Sequence, residues 1–428
     1  MFGFGLKSCA LMAFIFFTGL FSISSAQQLL DPLEVYEPAT ESQFLPGGRA
    51  SGMGGAQIAA GDDGSALWYN PALLTRIRNT ELSGTLSHQR VTNNTTGNSG
   101  IRIPESRFVN TEASVNNTNL GGLWAIFPVP AEQGGLTLGF SVNRVRSFDR
   151  IFRYQVTGDL ASSVRAGEDE SGSLWAWSFG GGVEVSPKAS LGLSIDIFDG
   201  TDDYSYFEDS YSQFGQPVNF THNIIDEYTG ISGKVGAAYQ ASNELNLGVV
   251  IGFPSSITID QTSDEFQEGP GAFEDHNVAS YKYTLPFSFG LGAMLHVEDL
   301  TFAGDISYFD YTQLKYKSGF PDLTRANMTV MEYYDDVMNY HLGAEYLVRS
   351  ADLRLRAGYF SQPIPFNGFP VETEPHYFTF GAGILVEKTF NVDLAFITGG
   401  FEREDPDLGS IEEYDTQRFL MTVSYRVK

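Results

Sequence analysis

The sequence predicts an all-β protein, a 14-stranded antiparallel transmembrane β-barrel with an N-terminal hatch or plug, exported behind a signal peptide. Three observations carry this. Segments of about ten residues, alternating apolar with small or polar side chains, recur from Thr80 to the C-terminus, and that is the length a tilted strand needs to cross a bilayer. The links between the segments are short and long in turn. The first 26 residues have the layout of a secretory signal.

The signal comes first in the chain. Lys7 supplies the positive region, Cys9 to Phe21 is apolar, and Ser24-Ser25-Ala26 offers small residues for cleavage. The apolar run is too short for a spanning helix, which needs about 20 residues. Cys9 is the only cysteine, so cleavage would leave no disulfide, thiolate metal ligand or cysteine nucleophile. Removing Lys7 leaves 25 basic against 52 acidic residues, a net charge of −27. Such a surface repels phosphate backbones and excludes nucleic acid as a partner. The 46 glycines, 34 Phe and 21 Tyr suit strands flanked by aromatic belts.

Strands are expected near 80–89, 119–127, 135–145, 173–185, 190–198, 229–239, 245–252, 281–297, 300–309, 337–348, 353–360, 375–386, 390–401 and 416–427. In one of them, Leu191, Leu193, Ile195 and Ile197 share a face opposite Ser190, Gly192, Ser194 and Asp196. Every second link is short, as at 186–189, 298–299 and 387–389. The links between are long: 90–118, 146–172, 199–228, 253–280, 310–336, 361–374 and 402–415. Short periplasmic turns and long outer loops are the asymmetry of an outer-membrane barrel, and a soluble sandwich has no reason for it. This divides the chain into a signal peptide (1–26), a hatch (27–78) that lacks the strand pattern, and the barrel (79–428).

The hatch carries a motif. Gly47-Gly48-Arg49-Ala50-Ser51-Gly52-Met53-Gly54-Gly55-Ala56 leads through Gly61-Asp62-Asp63-Gly64-Ser65-Ala66 into Asn70-Pro71-Ala72-Leu73-Leu74. Gly52, Gly54 and Gly55 allow positive φ and close backbone approach, and Pro71 biases Asn70 toward extended geometry. This ordered set resembles the FadL/TodX family of outer-membrane transporters for hydrophobic compounds. The resemblance implies fourteen strands behind a hatch, with gating near Gly52, Gly54, Gly55, Asn70, Pro71 and Ala72. It also implies a capture groove on the third and fourth outer loops. Those loops hold Tyr204, Tyr206, Phe207, Tyr211, Phe214 and Phe220, then Phe266 and Phe273, and such apolar surface on an outer loop suits a greasy ligand.

Charges within strands fall opposite the apolar stripe at Asp196, Asp305, Glu345, Arg354, Arg356 and Asp393. A charge facing lipid is costly, so these are expected to line the lumen as a paired network between plug and wall. Arg354 or Arg356 could instead meet a carboxylate head group. The acidic stretch Glu402 to Asp415 lacks calcium-loop spacing and reads as a solvated face. No catalytic motif is present, and no metal or cofactor is expected. The function expected is passive uptake of hydrophobic molecules such as long-chain fatty acids or aromatic hydrocarbons. The alternative is an accessory or shuttle barrel of a type IX secretion system, whose members share the Gly-Met-Gly run matched by Gly52-Met53-Gly54 and would bring secretion components as partners. Outer-membrane lipid, lipopolysaccharide and the barrel-assembly machinery complete the expected partners.

Overall fold

The structure is a computed structural model in which the described residues are 45–97, 107–130, 134–158, 163–212, 214–320, 322–365, 367, 371–387, 389–405 and 409–427. The signal segment 1–26 and the first part of the hatch, 27–44, lie outside them. Fourteen strands form the wall. They are β1 (Glu81–Gly97), β2 (Thr111–Val129), β3 (Leu136–Ser147), β4 (Val164–Ser186), β5 (Ala189–Tyr211), β6 (Pro217–Gln240) and β7 (Leu245–Gly252), then β8 (Ser288–Val297), β9 (Leu300–Asp310), β10 (Asp336–Val348), β11 (Leu353–Ser361), β12 (Val371–Val386), β13 (Phe390–Asp405) and β14 (Ser410–Arg426). Each pairs antiparallel with the next. β1 closes the ring on β14, in register from Glu81 opposite Arg426 to Gly97 opposite Ser410. Closure leaves no free edge at membrane depth, which is what a sheet in lipid requires.

The period of two decides which way each side chain faces. On β5, Leu191, Leu193, Ile195 and Ile197 are about half exposed, whereas Ser194 and Asp196 are buried. The same outward stripe continues through Leu138, Phe179, Leu291, Phe302, Leu342, Phe380 and Phe419. An apolar band of that extent cannot face water. Among the described residues no helix is long and apolar enough to cross a membrane; the strands do the crossing. On the short-turn side, β8 joins β9 through Glu298 and Asp299, with Glu298 at φ +55°, the left-handed geometry a two-residue hairpin needs.

The outer side differs from the sequence reading. Most of the long links are not loops but hairpin continuations of the wall. β5 and β6 stay paired out to Tyr211 opposite Pro217. The link after β7 is a second hairpin, Ser256–Glu268 against Phe273–Thr284. The strand expected at 281–297 is therefore two segments, divided at 285–287. Pro254 and Pro286 sit at the break in the two facing chains, where a residue without an N–H interrupts the ladder. The link after β9 folds inward instead. Its segment Lys315–Ser318 and the helix Leu323–Tyr333 bury Tyr311, Leu314, Tyr316, Phe320, Ala326, Val330 and Tyr334 against Val145, Phe148, Leu174, Tyr228, Ile257 and Tyr281. These residues form an apolar roof over part of the outer lumen.

Charges buried in the outer extension are paired. Arg150 meets Glu168 at 2.9 Å and Glu170 at 2.7 Å, and Arg403 meets Glu412 at 3.2 Å. Burial pushes the Glu168 carboxyl up to about 8, with Arg150 pulling it back only in part. A carboxyl raised in the folded state stabilises the fold below its unfolded pKa, and that contribution is lost as pH rises toward the folded value. The melting temperature of the wild type should therefore fall, relative to Glu168→Gln, between about pH 5 and about pH 8. Parallel melting profiles for the two proteins across that range would contradict this placement of Glu168.

Candidate binding site

The hatch is irregular backbone at membrane depth, tolerated only where protein satisfies its polar groups. The wall's inward side chains do so. Thr422 Oγ1 accepts from Gly48 N (2.7 Å), and Thr379 Oγ1 accepts from Gly54 N (3.0 Å) while donating to Gly52 O (3.1 Å). Asp305 Oδ2 accepts from Gln57 N and Ile58 N at 2.5 and 2.8 Å. Glu81 Oε1 accepts from Gly64 N at 2.8 Å, and His341 Nδ1 donates to Gly54 O at 2.7 Å.

Elsewhere the wall has no side chain at all. A methyl group added to Gly192 would lie 2.2 Å from Ala72 N, on Gly236 2.0 Å from Asn70 Oδ1, on Gly248 2.1 Å from Ile58 O and on Gly343 2.5 Å from Met53 O. Only glycine lets the hatch backbone come so near.

Asn70 is fully buried. Its Oδ1 accepts from Ala72 N (3.1 Å), and its Nδ2 donates to Ile58 O (2.7 Å) and Ala237 O (3.2 Å). It thereby caps the 3₁₀ turn Pro71–Arg76, which also buries Pro71 and Ala72, and its extended φ of −154° fits the residue before proline. Gly54 and Gly55 have φ of +63° and +77°. Gly52 does not share that conformation. It ends the short helix Gly48–Gly52, and what it needs is space, since a Cβ there would sit 3.1 Å from Gly381 Cα.

The six lumen charges do not form one network. Glu345 is ringed by Arg356 (2.7 Å), Arg49 of the hatch (3.5 Å) and Arg354 (3.8 Å), and Arg356 continues to Asp393 (2.6 Å). Asp305 serves the hatch amides instead, and Asp196 pairs with Lys234 at 3.3 Å. With Glu345 and Asp393 already on it, Arg356 is spent on structure.

The eight outer aromatics do not form one groove either. Period-two hairpins turn Tyr204 and Tyr206 inward and buried, while Tyr211, Phe266 and Phe273 are exposed and Phe214 projects at the tip. Phe207 lies beneath Arg153 and Arg165, at 5.4 and 5.5 Å from the ring centre, and Phe220 contacts Tyr206 and Phe273.

A cavity of about 280 Å³ lies between hatch and roof. Leu45, Gly55, Ile58, Trp68 and Tyr69 bound it from the hatch, Val145, Leu174, Phe198 and Val250 from the wall, and Tyr311 from the roof. Lys234 closes one side. Its Nζ is 3.8 Å from the centre of the Trp68 ring and donates to Trp68 O at 2.6 Å. The sequence reading singled out neither Trp68 nor Lys234. Lys234 could have been found as a lone cation on the inward face of the 229–239 strand, and Trp68 as the aromatic two residues before Asn70.

A closed outer-membrane barrel, plugged from within and holding a largely apolar cavity, is the architecture of a small-molecule channel rather than of an open pore. The chain belongs to the outer membrane protein transport family (OMPP1/FadL/TodX), whose model matches residues 42–399. Similar solved structures include a Pseudomonas aeruginosa FadL homologue, at 13% identity, TM-score 0.65, 90% of this chain and 100% of that one. The Pseudomonas putida toluene transporter TodX follows at 14% identity and TM-score 0.61, covering 91% and 99%. The Ralstonia pickettii toluene transporter TbuX gives 13%, 0.56, 91% and 99%. No curated protein matches the chain in sequence.

Because the hatch lies directly on Gly192, Gly192→Val should displace it without opening the wall. The variant should keep the boiling-dependent gel mobility of a closed barrel yet be cut by trypsin at Arg49 or Arg76, where the wild type resists. Equal resistance in both proteins would contradict the close docking.

Proposed function

We propose that this outer-membrane transport protein carries hydrophobic molecules inward without an energy source, holding them in the cavity between roof and hatch. That cavity, apolar on most of its lining and set between roof and hatch, is the observation that supports the reading. A water-filled porin lumen would be polar throughout. Similar proteins of known structure are described as toluene transporters, and aromatic hydrocarbons or long-chain fatty acids are the classes of cargo to test. No catalytic role is part of the proposal. The type IX accessory reading finds less support, since similar solved structures are described as toluene transporters. Lipid and lipopolysaccharide around the apolar belt, and the barrel-assembly machinery during insertion, are the remaining partners proposed.

Val250 points into the cavity from β7. Val250→Trp should fill much of it and lower uptake of labelled toluene by cells making the protein about tenfold, with barrel assembly intact. Uptake equal to wild type would remove the cavity from the path.

A further inference from the structure

The chain is strongly acidic, with a net charge of −26, yet three of its eight lysines meet on one outward face. Lys282 lies on the outer hairpin strand Phe273–Thr284, and Lys315 and Lys317 lie on the segment Lys315–Ser318 that pairs with it. The register sets Thr284 opposite Lys315, Tyr283 opposite Tyr316 and Lys282 opposite Ser318, with a bulge between the last two pairs. The period of two puts Lys282, Thr284, Lys315 and Ser318 on one side of the sheet. The bulge admits Lys317 as an extra residue beside Ser318. Tyr281, Tyr283 and Tyr316 turn the other way and are buried in the roof cluster, whereas the three lysines are exposed.

Their height follows from the strand below. The outward apolar stripe of β8 runs through Leu291 and Phe289 to Phe287, whose ring meets that of Phe253 edge to face at 6.1 Å. Exposed aromatic rings suit the boundary between hydrocarbon and water. Lys282 comes five residues beyond Phe287 on the side away from the short turns, roughly 16 Å along an extended chain. The lysines therefore stand just outside the hydrocarbon, at the level of the outer headgroups. Other exposed cations of this chain find an acid: Arg78 meets Glu184, Arg153 meets Asp169 and Arg349 meets Asp299. Lys282, Lys315 and Lys317 make no ion pair or side-chain hydrogen bond among the described residues. On the neighbouring strand the register brings Asp260 closest to Lys282, one diagonal step away opposite Ser280, and the two do not pair.

We propose that Lys282, Lys315 and Lys317 hold a phosphate group of lipid A, the membrane anchor of outer-leaflet lipopolysaccharide. Ammonium groups only donate, phosphate oxygens chiefly accept, and Thr284 and Ser318 add two hydroxyls on the same face. The patch continues directly from the apolar belt, so acyl chains lie along Phe289 and Leu291 while the phosphate reaches the lysines. A zwitterionic headgroup carries its own cation and gains little from such a patch. The site stands on the outer-membrane placement of the barrel and is independent of what the cavity carries.

The test titrates the detergent-purified full-length protein with bis-phosphorylated lipid A, with lipid A stripped of both phosphates and with phosphatidylglycerol, and reads bound lipid by native mass spectrometry. Bis-phosphorylated lipid A should bind at least about tenfold tighter than either of the others. Lys282→Gln should weaken it about fivefold, the share of one lysine near an anionic lipid, and the triple glutamine variant by more than tenfold. Lys188→Gln, which removes an exposed lysine at a short turn, should change nothing, and Asp260→Asn should tighten binding. Boiling-dependent gel mobility confirms that each variant is a closed barrel. Equal binding of phosphorylated and stripped lipid A, or undiminished binding by the triple variant, overturns the proposal. So does phosphatidylglycerol binding as tightly as lipid A, which marks general anionic attraction, or displacement of lipid A by millimolar inorganic phosphate, which marks a site for the free ion.

Discussion

The structure depends on bringing a polar, irregular backbone against the inside of a narrow barrel wall at membrane depth. Two devices make that possible, and the sequence supplies both. Where the hatch presents amides, the wall presents Thr379, Thr422, Asp305 and Glu81. Where the hatch lies flat, the wall presents glycine, as at Gly192, Gly236, Gly248 and Gly343. A barrel lacking either would have a wet lumen or an unsatisfied plug, and an unsatisfied buried amide costs about 1–3 kcal/mol. The abundance of glycine in this chain is thus partly a record of where the hatch sits.

The roof works by a different principle. It is held by apolar burial, with Tyr316, Phe320, Val330 and Tyr334 packed on lumen aromatics, whereas the hatch is held largely by directional bonds and by glycine contact. The cavity lies where these two regimes meet. That explains its mixed lining: hydrocarbon from roof and upper wall, polar atoms from the wall that faces the hatch. The Lys234–Trp68 contact stands on the same line, joining wall to hatch beside the cavity.

The barrel was legible in the sequence because lipid enforces a period of two with strongly apolar outward residues. All fourteen wall strands were placed by it. The signal faded above the membrane, where water on the outside removes the contrast, so paired hairpins such as Ser256–Glu268 with Phe273–Thr284 read as loops. Alternation also runs on through Pro286 and hid the break there. Asn70 could be read because the residue before proline has few conformations. The roof helix carries a readable stripe at Leu323, Ala326, Val330 and Tyr333, but one short helix stands apart from the period of two that organises the rest of the chain. Which charges meet which could not be read. Asp305 and Arg356 look alike on the inward faces of their strands, and only the hatch's path sends one to backbone amides and the other to Glu345 and Asp393.

The hatch, and not the wall, closes the periplasmic side of the lumen. Planar-bilayer conductance of the protein lacking residues 27–70 tests it most directly. The wall keeps its own ladder and apolar belt without the hatch, and the vacated lumen is lined by Asp196, Asp305, Glu345, Arg356 and Asp393, a polar surface that holds water. The deletion protein should insert as a closed barrel and conduct small ions in discrete steps, while the intact protein stays silent. A deletion protein that assembles yet is as silent as the wild type would contradict the account.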